Sequence, residues 1–234
     1  MRDLADQQDL NLSSEYVSER IIGLIRPARQ SLYARHGKRV LDLLLTTLLL
    51  TAAAPLIGLF YLIVRLDGGP GFYAQPRIGR DGREFPCFKL RTMMTGAEAE
   101  LDRLCREDPA LAQEWLEHQK LTNDPRITPI GRFLRASSLD ELPQLFNVLR
   151  GEMSLVGPRP FTPDQNDLYW QAGGRAYYRQ LPGLTGPWQV SDRGENSFLG
   201  RIAFDEAYEA NLSLRQDLSL LLQTIGAVIR RTGR

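Results

Sequence analysis

The densest group of reactive side chains in this sequence is Arg135-Ala-Ser-Ser-Leu-Asp140-Glu141-Leu-Pro143-Gln144. Adjacent carboxylates on one turn suit a nucleophile beside a metal ligand. One oxygen attacks an electrophile while its neighbour holds a hard cation. Pro143 is tolerated inside a helix only in its first turn. The spacing therefore predicts Asp140 at or next to a helix N-cap, with Glu141 just inside. There, free N–H groups and the positive end of the helix dipole stabilise an ionised carboxylate and also receive phosphate oxygens. Taken alone, a plain N-cap worth about 1 kcal/mol explains an Asp at this place more simply.

Context comes from basic residues in loops. Lys89-Leu-Arg91 ends a strand-like run, Arg132 and Arg135 precede the acidic pair, and Gly157-Pro-Arg159-Pro is a rigid turn carrying one Arg. Arg193 follows Gly186-Pro-Trp188-Gln189-Val190. Guanidinium forks match phosphate oxygens, and a diphosphate needs several of them. Each of these cations alone reads as a solvated surface charge. No Walker P-loop, GxGxxG, HExxH or GxSxG pattern is present.

The 234 residues hold 29 Lys+Arg against 28 Asp+Glu, a net charge of +1, which argues against nucleic-acid binding through bulk charge. Two cysteines, Cys87 and Cys105, and two histidines, His36 and His118, exclude a disulfide framework and speak against a zinc site. An unstapled chain suits a reducing compartment.

The elements that must position the acidic pair include one apolar stretch. Leu43 to Val64 contains no charged residue. As a straight helix it is about 33 Å long, enough to cross a hydrocarbon core. Pro55 withholds a donor from the Thr51 carbonyl and predicts a break, with arms Leu43–Ala54 and Leu56–Val64 of about 18 Å and 13 Å. Basic residues flank both ends: Arg35, Lys38 and Arg39 before, Arg65 and Arg77 after. The positive-inside rule is satisfied at once if both ends are cytoplasmic, as in a helix that dips into one leaflet. Charges and proline alone leave that geometry and a kinked span both open. The first 37 residues read as a peripheral arm, amphipathic around Tyr16–Ile25.

After Val64 the pattern is that of a mixed domain. Phe72–Arg77 and Glu84–Leu90 flank an Asp81-Gly82 turn, which predicts a β-hairpin. Helices are expected over Glu98–Arg106, Ala110–Lys120, Pro129–Leu134, from near Asp140 to before Gly151, Phe204–Glu209 and Leu214–Ile229. The last has Leu214, Leu218, Leu221, Leu222, Ile225, Val228 and Ile229 mostly on one face. Such a helix packs on a core or lies in a membrane interface.

In this order and spacing, the motifs resemble those of the bacterial sugar transferases, the monotopic polyprenyl-phosphate phosphoglycosyl transferases. The matching stretches are Lys38-Arg-Val-Leu-Asp42, Arg77-Ile-Gly79, Lys89-Leu-Arg-Thr-Met93, Asp124-Pro-Arg126 and Ser138-Leu-Asp-Glu-Leu-Pro-Gln-Leu145. Arg150-Gly-Glu-Met-Ser154, Gly157-Pro-Arg-Pro160, Pro182-Gly-Leu-Thr-Gly186 and Gln189-Val190 follow, then Asp205, Tyr208, Asn211, Ser213 and Asp217. Phe204-Asp-Glu-Ala-Tyr208 and Asn211-Leu-Ser213 look most like the exopolysaccharide-type galactose and glucose phosphotransferases. One departure is Ala54-Pro55 where the family usually has Ser-Pro at the membrane break.

The resemblance implies an α+β fold, mainly helical with a small β-hairpin, a re-entrant membrane helix broken at Pro55 and amphipathic interfacial helices. It divides the chain into an arm (1–37), a membrane helix (38–66) and a cytoplasmic catalytic domain (67–234). It implies transfer of a sugar 1-phosphate from a UDP-sugar, UDP-galactose or UDP-glucose, to undecaprenyl phosphate, with release of UMP. Asp140 would be the nucleophile, forming an aspartyl-phosphosugar, and Glu141 the Mg²⁺ ligand. Lys89, Arg91, Arg135, Arg159 and Arg193 would serve the phosphates or nucleotide. The implied location is the cytoplasmic face of the bacterial inner membrane, with no nucleic-acid partner and a homodimer left open. A membrane-tethered scaffold or pseudoenzyme is the competing class, against which the intact Asp140-Glu141 pair speaks.

Overall fold

A 28-residue helix, α1 (Lys38–Arg65), leads into the remaining chain. The computed structural model describes residues 31–118, 121–191 and 198–229. The arm around Tyr16–Ile25 and Arg193 lie outside the described residues. The segment Tyr33–Arg65 is long and apolar enough to cross a membrane. Asp42, Thr46, Ile57, Phe60 and Val64 form its buried face. Thr46 and Ile57 lie about three turns apart, so that face keeps its register across Pro55.

The break expected at Pro55 is therefore not an end to the helix. Proline removes a single donor, and the flanking turns keep their own hydrogen bonds. In the turns just before it, Thr47 Oγ1 donates to the Leu43 carbonyl at 2.8 Å and Thr51 Oγ1 to the Thr47 carbonyl at 2.9 Å, back-bonds that favour a bend without ending the helix.

Both ends of α1 are tied to the same domain. At the start, Arg39 donates to the carbonyls of Val148 at 2.6 Å and Leu149 at 3.0 Å, and Asp42 accepts from the Leu155 amide at 3.0 Å. At the far end, Phe60 and Val64 pack with Leu90 and Leu134. Leu45, Leu50 and Ala53 pack against the main core between them. On the opposite side, Leu44, Leu48, Leu59 and Leu62 are more than half exposed.

The predicted hairpin forms as β1 (Phe72–Ile78) and β2 (Glu84–Leu90), antiparallel with Tyr73 opposite Lys89 and Gln75 opposite Cys87. Asp81 and Gly82 both take positive φ at the turn. α2 (Ala97–Glu107) and α3 (Pro109–His118) follow close to expectation. α4 (Pro129–Ser137) begins at Thr128, whose Oγ1 accepts from the Gly131 amide at 3.0 Å. Gly131 has to be glycine there, because an added Cβ would meet the Thr92 carbonyl oxygen at 2.0 Å.

The helix expected from Asp140 to before Gly151 is shorter. α5 spans Gln144–Arg150 with Pro143 at its N-cap, and Gly151 ends it at φ 82°. A short parallel pair, β3 (Ser154–Val156) with β4 (Gly183–Thr185), was not evident from sequence, nor were α6 (Asn166–Gln171) and α7 (Pro187–Ser191). α8 spans Arg201–Ala210 and α9 Leu214–Ile229. α9 buries Asp217 and Leu220 while Leu214, Leu218, Leu222 and Ile225 form an exposed stripe. It packs on the core and still presents an apolar face.

The main core joins Phe85, Cys87, Leu145, Val148, Met153 and Tyr208. A second, aromatic cluster joins Ile78, Phe161, Tyr169, Tyr177 and Tyr178 behind the Pro158–Pro160 turn. The result is a mainly helical α+β fold with a small hairpin, as expected.

Candidate active site

Asp140 reaches its place by a chain reversal. Ser138 ends α4 in the left-handed region, at φ 56°, and a single tight turn over Leu139–Glu141 follows. The acidic pair thus precedes α5 instead of capping it, a correction to the N-cap expectation. The Ser-Ser-Leu stretch reverses the chain before Pro143 can start a helix.

The turn places both carboxylates on a cavity of about 840 Å³, between the hairpin, the start of α2, α4 and the β4–α7 corner. Asp140 is only 8% exposed. Burial pushes its carboxyl up to about 6, with the Glu141 charge adding to the rise and Lys89 and Arg135 opposing it. It is therefore mostly ionised at neutral pH yet poorly solvated, a state that favours nucleophilic attack over solvation.

Glu141 Oε1 accepts from Lys89 Nζ at 2.9 Å, and Arg159 Nη2 stands 3.6 Å from the same oxygen. Arg135 also acts on Asp140 through its charge, its Nε donating to Thr92 Oγ1 at 2.8 Å. Burial pulls the Arg135 pKa down while Asp140 and Asp124 oppose that. Lys89, Arg135 and Arg159 all line the cavity with the acidic pair.

Arg91 lines the same cavity, but its donors are engaged elsewhere. Its five N–H donors go to the carbonyls of Pro70, Met93 and Val64 and to both carboxylate oxygens of Asp67. It clamps the end of α1 to the hairpin, and no donor is left for a phosphate. The sequence offered no way to separate it from Lys89, two residues earlier.

Residues the sequence reading did not single out include Gln75, Thr92, Arg126 and Trp188, all on the cavity wall. Gln75 had a usable signal. Strand alternation puts it on the same hairpin face as Lys89, because Tyr73 pairs with Lys89. Arg126 is held by Asp124 at 2.6 Å and lies over the Trp115 ring at 5.2 Å.

A metal fits one way only. Among the described residues no three or more His, Cys, Asp or Glu side chains converge. Mg²⁺ is commonly held by one or two carboxylates together with substrate phosphates and waters, not by an all-protein cage. The donor set here, Glu141 with Asp140 adjacent, suits that mode.

Residues 33–231 match the family described as bacterial sugar transferase. The chain is similar to a UDP-galactose-lipid carrier transferase of Erwinia amylovora, 46% identical over 86% of this chain and 42% of the relative. It is 45% identical to the undecaprenyl-phosphate galactose phosphotransferase of Salmonella typhimurium, over the same two shares. An exopolysaccharide production protein, ExoY, of Sinorhizobium fredii is 46% identical over 84% of this chain and 87% of its own length. The chain therefore spans less than half the length of the Erwinia and Salmonella relatives.

Proposed function

The chain belongs to the bacterial sugar transferases, and from that premise we propose that it transfers a hexose 1-phosphate from a UDP-sugar to undecaprenyl phosphate. The observation that carries this reading is Asp140, buried on a cavity that Lys89, Arg135, Arg159 and Glu141 also line.

In the first step, a carboxylate oxygen of Asp140 attacks the phosphorus that bears the sugar. The bond from that phosphorus to the bridging oxygen breaks, and UMP leaves with the electron pair. In the second step, an oxygen of the lipid phosphate attacks the same phosphorus. The Asp140 carboxylate departs unchanged, and polyprenyl diphosphate–sugar remains. Lys89, Arg159 and Arg135 offset repulsion between a carboxylate and an anionic diphosphate. Arg193, outside the described residues, is kept as a nucleotide-site candidate. Glu141 would hold Mg²⁺, which when bound supplies Lewis-acid stabilisation of phosphoryl oxygens.

We place the domain on the cytoplasmic face of the inner membrane, where nucleotide sugars are found. The outward leucines of α1 and the exposed stripe of α9 would be buried in one leaflet. Support comes from α1 itself, which touches one domain at both ends. Were the helix to stand across a bilayer, one end would lie about 30 Å from that domain. On this reading residues 38–66 are the anchor and 67–234 the catalytic unit.

The test is release of UMP from UDP-galactose and UDP-glucose by detergent-solubilised protein, with and without undecaprenyl phosphate, in Mg²⁺ and in EDTA. Metal-dependent UMP release, rising with the lipid, is the expected result. Silence with every UDP-sugar, lipid present, would remove the reading.

A further inference from the structure

We propose that Gln75, aimed by Arg77, donates a hydrogen bond to a phosphoryl oxygen of the sugar nucleotide in this cavity. The inference deepens the transfer reading above and rests on it. Arg77 Nη2 lies 2.7 Å from Gln75 Oε1. A guanidinium only donates, so the amide oxygen of Gln75 must face Arg77. The Gln75 NH₂ group is then fixed on the other branch, and among the described residues nothing accepts from it. Gln75 lines the cavity with Lys89 and Glu141, while Arg77 stands behind it, off the wall.

The surroundings favour an anion as the acceptor. Lys89 and Arg159 converge on the single Glu141 carboxylate. Arg77 is a third cation close by, with Arg159 and Glu141 among its charged neighbours, and burial holds its pKa down. Three cations against one carboxylate leave positive charge on the Glu141 side of Asp140. That is the side on which a diphosphate would sit if Glu141 holds its metal. The Gln75 NH₂ group adds a directed donor where Lys89 and Arg159 supply mainly charge. Arg77 is a positioning residue, since it acts through Gln75.

The test is the single-turnover burst of UMP release from UDP-sugar without lipid acceptor, read as its second-order rate constant, with thermal unfolding measured beside it. Gln75→Ala should lose about 10- to 100-fold, the range for a hydrogen bond to a charged group. Gln75→Glu, which turns the donor into an anion, should lose at least as much. Arg77→Met should lose a similar factor. The double variant Gln75→Ala/Arg77→Met should fall no more than about twofold below the worse single, because the two act as one unit. A purely structural Arg77 would instead lower the melting temperature and add its full factor to that of Gln75→Ala, and this would overturn the assignment. So would a wild-type rate in Gln75→Ala. A loss confined to UDP-galactose or to UDP-glucose would place Gln75 on the sugar and also overturn it. A wild type that releases no UMP would overturn the transfer reading itself, and this assignment with it.

Discussion

At the seam between α1 and α9, Asp217 accepts three side-chain hydrogen bonds: from Tyr33 Oη at 2.6 Å, Lys38 Nζ at 2.8 Å and Tyr208 Oη at 2.6 Å. At the cavity, Asp140 is buried almost as deeply, yet among the described residues no side chain donates to its carboxylate. Its neighbours Lys89 and Arg135 act on it as charges at a distance. The first arrangement meets the cost of burying a carboxylate with hydrogen bonds, and the second leaves that cost standing. A satisfied buried carboxylate holds elements together. One that no side chain bonds, open to a cavity, is held ready for a ligand.

Removing each carboxylate should separate the two most sharply. Asp140→Asn should lower UMP release by at least about 10³-fold, because an amide is no nucleophile. Asp217→Ala should instead cost about 3 kcal/mol of stability, since it strands Lys38 and two tyrosine hydroxyls. Kinetics beside urea unfolding in micelles checks both. Asp140 that proves essential for folding, or Asp217 dispensable for it, would break the comparison.

A second contrast lies within three residues, at the end of β2 and just past it. Lys89→Met should reduce kcat/KM by about 10²-fold with little change in stability. Arg91→Met should cost about 2–4 kcal/mol by releasing Asp67 and three backbone carbonyls, with activity lost only as the protein unfolds. Melting temperature and specific activity of the folded fraction separate the two.

The pH dependence of stability sharpens the same point. Asp140 has its folded pKa raised to about 6, so the folded state prefers the protonated form. Its contribution is fully favourable below the unfolded value and is lost as pH rises through about 6. In chelator, wild type and Asp140→Asn should therefore be equally stable near pH 4. By pH 8 the Asn variant should be more stable by about 2 kcal/mol. Equal stability across that range would mean that Asp140 is not held at a cost.

The smallest effect is expected at the seam. Tyr33→Phe removes one of three donors to Asp217 and should cost about 1 kcal/mol, with catalysis unchanged. A larger loss, seen by chemical unfolding, would mean that the start of α1 is held mainly by that hydroxyl.

Local signals made much of this legible in the sequence. The hairpin followed from Asp81-Gly82 and alternation, and Leu214–Ile229 from its apolar spacing. Asp140 and Glu141 stood out as adjacent carboxylates, and the cavity places Lys89, Arg135 and Arg159 with them. Arg91 does line the cavity, but the sequence could not show that its donors are engaged, because its partners Asp67 and Val64 become neighbours only when α1 folds back on the hairpin. The Pro55 break was overread because proline chemistry is local, whereas a buried face running from Asp42 to Val64 restrains the whole helix. β3 and β4 each span three residues, too short for a periodicity to show. Gln75 was passed over because its role depends on Arg77 turning its amide, a fact of side-chain geometry.

Intact-mass spectrometry of the solubilised protein tests the central claim most directly. After incubation with UDP-sugar and Mg²⁺ but no lipid, the wild type should gain the mass of one hexosyl phosphate, with peptide mapping placing it on Asp140. The adduct should disappear when undecaprenyl phosphate is added and should never form in Asp140→Asn. Turnover without any adduct, or the same adduct on Asp140→Asn, would contradict a covalent role for Asp140.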